Sequence, residues 1–268
     1  MEKPPRFATR RAQSCVRTGA RDREREYHDA LYSGFAQQLF SRPSVVAFRR
    51  HLVCRILRMT AAGKSSRVLS IGCGIGDTEL LLAPHVGEVL GIDFVPRAIT
   101  VACDTARRQQ VQNVAFRSAA WESLSDLNGT FDVVLSIFSL HHLADFELRS
   151  IPLCVWHLLR PGGVFYAVEP SARRLSGAIG TLLIPKQMKK FQTVDERPLV
   201  RSAIAKQFEV FQFRVRTGWY DFLSTPIAGV LPECYSIYRL ARITDDLLVS
   251  VPGIRAFSSN FELVATRF

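Results

Sequence analysis

Between residues 67 and 169 short apolar runs alternate with longer amphipathic ones. The runs at 68–71, 89–93, 114–116, 131–136 and 162–168 predict five strands. Apolar positions at helical spacing predict helices over 77–83, 96–109, 121–127 and 143–159. Further on, the pattern predicts a helix around 186–206, a strand over 209–216 and a last strand over 261–268. Strand and helix alternate throughout, so the expected fold is α/β: a doubly wound, seven-stranded, mostly parallel sheet. No internal repeat or low-complexity tract interrupts the pattern.

Outside this core, Leu31, Phe35 and Leu39, then Val46, Leu52 and Ile56, recur at helical spacing with a break near Pro43. Two helices are expected before the sheet, in position to roof a cleft. Before the last strand lies an oily insertion with Trp219, Tyr220, Phe222 and Leu223, then Ile237, Leu240, Ile243, Leu247, Leu248 and Val251. It is too apolar for a surface loop. It would form a lid over a hydrophobic ligand, pack on the sheet or, through Arg239 and Arg242, make peripheral contact with a membrane. The expected division is a basic tail at 1–25, a helical cap at 26–62, a core at 63–216 and 259–268, and a helical insertion at 217–258.

Composition narrows the picture. A chain of 268 residues that is 47% hydrophobic can bury a full core as one elaborated domain. Its apolar runs break off within about ten residues, short of the ~20 a membrane-spanning helix needs. The net charge of +11 favours nucleic acid or anionic membrane only if it gathers on one surface. Part of it sits in the tail, where Lys3, Arg6, Arg10, Arg11, Arg17, Arg21, Arg23 and Arg25 outnumber Glu2, Asp22 and Glu24. That segment reads as a solvated arm, with a cleavable targeting sequence as the alternative. The cysteines at 15, 54, 73, 103, 154 and 234 form no C-x-x-C pair, so neither a metal site nor a disulfide framework is expected, and a cytoplasmic setting fits.

The candidate chemistry begins at the first strand-to-helix turn, Gly72-Cys73-Gly74-Ile75-Gly76. In open parallel sheets this turn presents backbone N–H groups at a helix N-terminus, and glycines let the main chain approach a ligand closely. A dinucleotide fingerprint starting at Gly72 would need glycine at 77, where Asp77 stands. A carboxylate there repels a pyrophosphate and suits a cationic sulfonium, which favours S-adenosylmethionine (SAM) over a nicotinamide cofactor. The second strand ends in Asp93, whose carboxylate can accept both ribose hydroxyls. It could instead cap the next helix.

In order along the chain, 68–76, Gly91-Ile92-Asp93, Phe131-Asp132-Val133-Val134, His141-His142-Leu143 and Leu159-Arg160-Pro161-Gly162-Gly163 resemble the motifs of class I SAM-dependent methyltransferases. The likeness is to the ubiquinone-biosynthesis-like, small-molecule branch and covers about 67–169. It implies a Rossmann-like methyltransferase sheet that binds SAM through Gly72, Cys73, Gly74, Gly76, Asp77, Asp93, Phe94, Ala120, Trp121 and Ser136. Two departures stand out: many relatives carry an acid at Ser70, and another where this chain reads Ser118-Ala119-Ala120. Glu122 or a backbone carbonyl would then have to receive the adenine amine, with Phe94 and Trp121 at its faces or in the core.

Methyl transfer demands alignment of acceptor, methyl and sulfur, and a base only for some acceptors. The run 136–143 after the fourth strand is mostly apolar and offers His141 and His142 as base, substrate holder or helix brace. The Asp/Asn-Pro-Pro-aromatic tetrad of nucleobase-amine methyltransferases is absent there. After the fifth strand, Glu169 could meet substrate, and Arg173 and Arg174 could attract an acidic group. The expected activity is methylation of a small, partly hydrophobic acceptor. An RNA or protein methyltransferase, and a SAM-binding scaffold without turnover, are the alternatives.

Overall fold

The computed structural model describes residues 29, 32, 35–174 and 197–268. Two helices, α1 (Phe35–Phe40) and α2 (Pro43–Thr60), precede the sheet, with Pro43 at the first position of α2, where its missing N–H costs nothing. The core then runs β1 (Arg67–Ile71), α3 (Asp77–Leu82), β2 (Glu88–Asp93), α4 (Pro96–Arg108), β3 (Val114–Ser118), β4 (Phe131–Ile137), α5 (Asp145–Leu158) and β5 (Leu159–Pro170). It closes with α6 (Arg201–Val210), β6 (Phe213–Asp221), α7 (Ser224–Val230), α8 (Tyr235–Leu248) and β7 (Asn260–Arg267). The seven strands form one sheet in the order β3-β2-β1-β4-β5-β7-β6. All neighbouring pairs up to β5 are parallel, and β7 runs antiparallel between β5 and β6.

Central strands are covered on both faces, which is why they read as continuous apolar runs. One face sets Val68, Leu135, Tyr166 and Val264 against Phe48, Leu52 and Ile56 of α2. The other sets Leu69, Val134, Phe165 and Leu263 against Ile151 and Val155 of α5 and Ile204 and Phe208 of α6. The order reverses between β1 and β4, so the carboxyl ends of these two strands flank the crevice where such sheets place ligands.

Two expectations change. The helix expected over 121–127 is two 3₁₀ turns, Trp121–Ser123 and Ser125–Leu127. The Ser123 hydroxyl bonds the Ala120 carbonyl at 2.7 Å, a local bond that competes with helix continuation. The strand expected from 209 starts at Phe213, because Glu209 and Val210 complete α6, which is fixed by Phe208 stacking on Phe165 at 4.8 Å between ring centres. Of the helix expected around 186–206, the part up to 196 lies outside the described residues, as does the tail at 1–25.

The insertion expected from 217 also starts later. Trp219 and Asp221 pair with Phe261 and Asn260, so they belong to the sheet. Two buried carboxylates anchor the segment between β6 and α8. Asp245 accepts the N–H groups of Phe222, Leu223 and Ser224 at 2.8 to 3.0 Å, and Asp221 accepts from the Thr225 N–H and the Asn260 amide. The insertion docks on α2, where Ser44 N–H donates to the Pro232 carbonyl at 2.8 Å. Arg242 turns inward to Asp246 at 2.6 Å, so of the two arginines expected to face a membrane only Arg239 stays outside, over the Tyr235 ring. Leu240, Ile243 and Leu247 of α8 remain exposed.

Candidate active site

The glycine loop connects β1 to α3 at the crevice. Gly72, Gly74 and Gly76 all have positive φ (72°, 54° and 75°), a conformation that L side chains rarely adopt. Their missing Cβ atoms make room mainly for protein. A Cβ at Gly72 would fall 2.1 Å from Ser139 Oγ, and one at Gly76 would fall 2.4 Å from the Phe116 ring. At Gly74 it would meet the Tyr32 hydroxyl at 2.8 Å. The Cys73 side chain lies beneath the loop against Gly91, and burial pushes its thiol pKa up, so only its backbone can serve a ligand.

Asp93 fixes this loop to β2. One carboxylate oxygen accepts the Gly74 N–H and the other the Val95 N–H, both at 2.9 Å. The second bond holds the turn before α4, whose N-cap is Val95 with no side-chain cap bond, so Asp93 joins the two loops and does not cap that helix. Asp77, at the start of α3, is paired with Arg49 of α2 at 2.6 Å, and Arg49 also donates to the Thr78 hydroxyl. Phe94, like Tyr32, packs against the cluster of Ile75, Val95 and Ala98. Ala120 is half-buried, and Trp121 leans on the core beneath α5, its carbonyl 3.6 Å from the Cys154 thiol. The Glu122 side chain lies outside the described residues. Ser136, level with Ile71 in the sheet, is fully buried, and its hydroxyl has no hydrogen-bond partner among the described residues.

The departure at Ser70 is answered by a residue whose role its sequence position does not announce. Glu79 of α3 is 2% exposed, and the Ser70 hydroxyl donates to it at 2.6 Å. An acid absent from β1 is thus supplied from the facing helix turn. A signal was present: Glu79 is a carboxylate at the head of an apolar run, Leu80-Leu81-Leu82. Burial raises its pKa to about 7, partly countered by the Ser70 bond. The folded protein then holds this proton more tightly than the unfolded chain, so the contribution of Glu79 to stability falls as pH rises from about 4.5 through 7. Glu79→Gln is expected to gain on the wild type over that window by on the order of 1–3 kcal/mol. Denaturant melts of both proteins from pH 5 to 8 check this, and a pH-independent difference contradicts it.

At the carboxyl end of β4, the turn Leu140–His142 carries both histidines. Glu169 of β5 is 1% exposed and organises it, accepting the N–H groups of Ser139 (3.0 Å) and Leu140 (2.8 Å) and meeting His141 Nδ1 at 2.7 Å. Glu169, expected as a substrate contact, is instead the brace that sets the orientation of the His141 ring. His142 is half-buried, its ring centre 4.1 Å from that of His141. The carbonyl of His141 also accepts the Arg197 N–H at 3.2 Å, which ties the chain leading into α6 to this turn.

Residues 68–163 match the methyltransferase domain family. A demethylmenaquinone methyltransferase of Geobacillus sp. is 27% identical over 175 residues, 63% of this chain and 71% of that one. A ubiquinone biosynthesis O-methyltransferase of Sinorhizobium fredii is 34% identical over 103 residues, 38% of this chain and 40% of that one. The match thus spans less than half of the second relative's length. Among solved structures, the YcgJ protein of Bacillus subtilis superposes with a TM-score of 0.56 at 20% identity, covering 81% of this chain and 98% of that one.

Proposed function

We propose that this chain, which carries a class I SAM-dependent methyltransferase domain over residues 68–163, transfers a methyl group from SAM to a small, partly hydrophobic acceptor held above the ends of β4 and β5. The observation that carries the reading is the joining of Asp93 to the glycine loop at Gly74. It sets a carboxylate and a bent, Cβ-free backbone side by side at the switch point of the sheet.

The residues present fit SAM. Asp93 would accept the ribose hydroxyls, backbone groups from Gly72 to Gly76 would line the amino acid tail, and the unpartnered Ser136 hydroxyl would gain a partner. Phe94 and Trp121 would border the adenine, with Ala120 close by. When bound, SAM supplies an electrophilic methyl group on a cationic sulfur, and the carboxylate of Asp77, although paired with Arg49, favours that charge. Tyr32 and α2 would roof the loop.

Catalysis by the chain itself would be mainly alignment and exclusion of water, worth roughly 7–11 kcal/mol in favourable cases. His141, oriented through Nδ1 by Glu169, would take the proton of an acceptor hydroxyl at Nε2, with His142 beside it. The quinone-related names of two relatives and the exposed apolar side chains of α8 support a phenolic or quinol-like acceptor, with the insertion as lid or membrane-facing element. Incubation with methyl-labelled SAM and a panel of phenols and hydroquinones tests this reading. Label in at least one product supports it, and label only in RNA or protein substrates replaces it with the macromolecular alternative.

A further inference from the structure

Backbone hydrogen bonds gather three arginines from distant parts of the chain at the end of β5. Ser171 N–H donates to the Ser259 carbonyl, Leu199 N–H to that of Pro170 and Ala172 N–H to that of Leu199, each at 2.9 Å. Arg173, Arg201 and Arg255 sit within four residues of these bonds. The same segment bonds His141 through the Arg197 N–H, so the cluster borders the turn that carries the proposed base.

Most other half-buried arginines of the fold have their charge answered by oxygen. Arg49 pairs with Asp77, Arg55 with Glu262 and Arg242 with Asp246, while Arg267 is met by the carbonyls of Trp156 and Leu159. Arg201 is different. Its guanidinium lies 4.2 Å from the centre of the Trp219 ring and donates to the Thr217 hydroxyl, and no carboxylate pairs with it, with Arg173 or with Arg255 among the described residues. Burial lowers its pKa, and the nearby charges of Arg255 and Arg173 lower it further. The aromatic ring positions a guanidinium without neutralising it. A planar fork of donors held this way, beside two more cations, suits an oxyanion bound in a bidentate manner.

We infer that Arg173, Arg201 and Arg255, with Arg201 fixed on Trp219, form a binding site for the anionic group, carboxylate or phosphate, of the methyl acceptor. As an acceptor subsite this rests on the function proposed above, whereas the anion site itself does not need it. The site would anchor the charged end of an amphiphilic acceptor and leave its apolar body toward the 136–143 turn. Arg173 was expected to attract an acid; Arg201 and Arg255 were not, since nothing in their spacing announces that their segments join at the end of β5.

Calorimetric titration of the full chain, without SAM, with inorganic pyrophosphate and with benzoate tests the site at 0.1 M ionic strength, where the Debye length is about 10 Å. Binding of at least one probe is expected. It should weaken tenfold or more in Arg201→Gln and in the Arg173→Ala/Arg255→Ala double variant, whose exposed positions spare the fold, while SAM affinity changes less than twofold. The tighter probe names the anion as phosphate or carboxylate. Equal binding by wild type and both variants, which a diffuse net charge would give, overturns the inference, as does the absence of binding. Loss of SAM binding with probe binding intact would overturn the methyltransferase reading and leave the anion site standing.

Discussion

Asp93→Ala is expected to lower the affinity for SAM by about 100-fold or more. Two charge-assisted hydrogen bonds to the ribose would be lost, each worth roughly 1.5–3 kcal/mol. The Gly74 and Val95 N–H groups would also lose their acceptor, so the loop would have to be ordered by the ligand itself. Asp93→Asn, which keeps an acceptor oxygen, should fall between the two. Calorimetry with SAM reads the effect directly, and a loss of less than about tenfold in the alanine variant would show that the ribose is held elsewhere.

Glu169→Gln is expected to act on turnover. The amide retains shape and one acceptor oxygen for the Ser139 and Leu140 N–H groups, but its NH2 then faces His141 Nδ1 and can only donate, which takes the carboxylate acceptor from Nδ1–H and reverses the imidazole tautomer. The rate of methyl transfer should fall about 10²–10⁴-fold with SAM affinity nearly unchanged. His141→Ala should fall by a similar factor, and the double variant little further, because both act through one imidazole. Single-turnover rates on folded protein separate this from a structural role. If His141 merely braces the turn, Glu169→Gln would lower the melting temperature and leave the rate of the folded fraction intact.

The sheet was legible because its central strands are buried on both faces and its helices on one, so the two periodicities alternate from β1 to β5. The loop and Asp93 were legible because their chemistry is local: three glycines with positive φ and a carboxylate at the next strand end. What escaped depends on contacts distant in sequence. Glu169 reaches the His141 turn across 28 positions, and the segments of Arg201 and Arg255 come together only through backbone bonds at the end of β5. Glu79 escaped for a different reason. An acid near a helix start reads as a favourable dipole partner, and only its burial against Ser70 reveals it as the acid that β1 lacks. The boundary of α6 slipped because the helix, expected to end near 206, continues to Val210, with Phe208 stacked on Phe165.

Dependence on SAM is tested most directly by calorimetric titration of the wild-type chain with SAM and with S-adenosylhomocysteine. Saturable binding of both is expected in the micromolar range, with one site per chain. The absence of binding to either ligand, in protein shown to be folded, would contradict the assignment of the glycine loop and Asp93 to this cofactor.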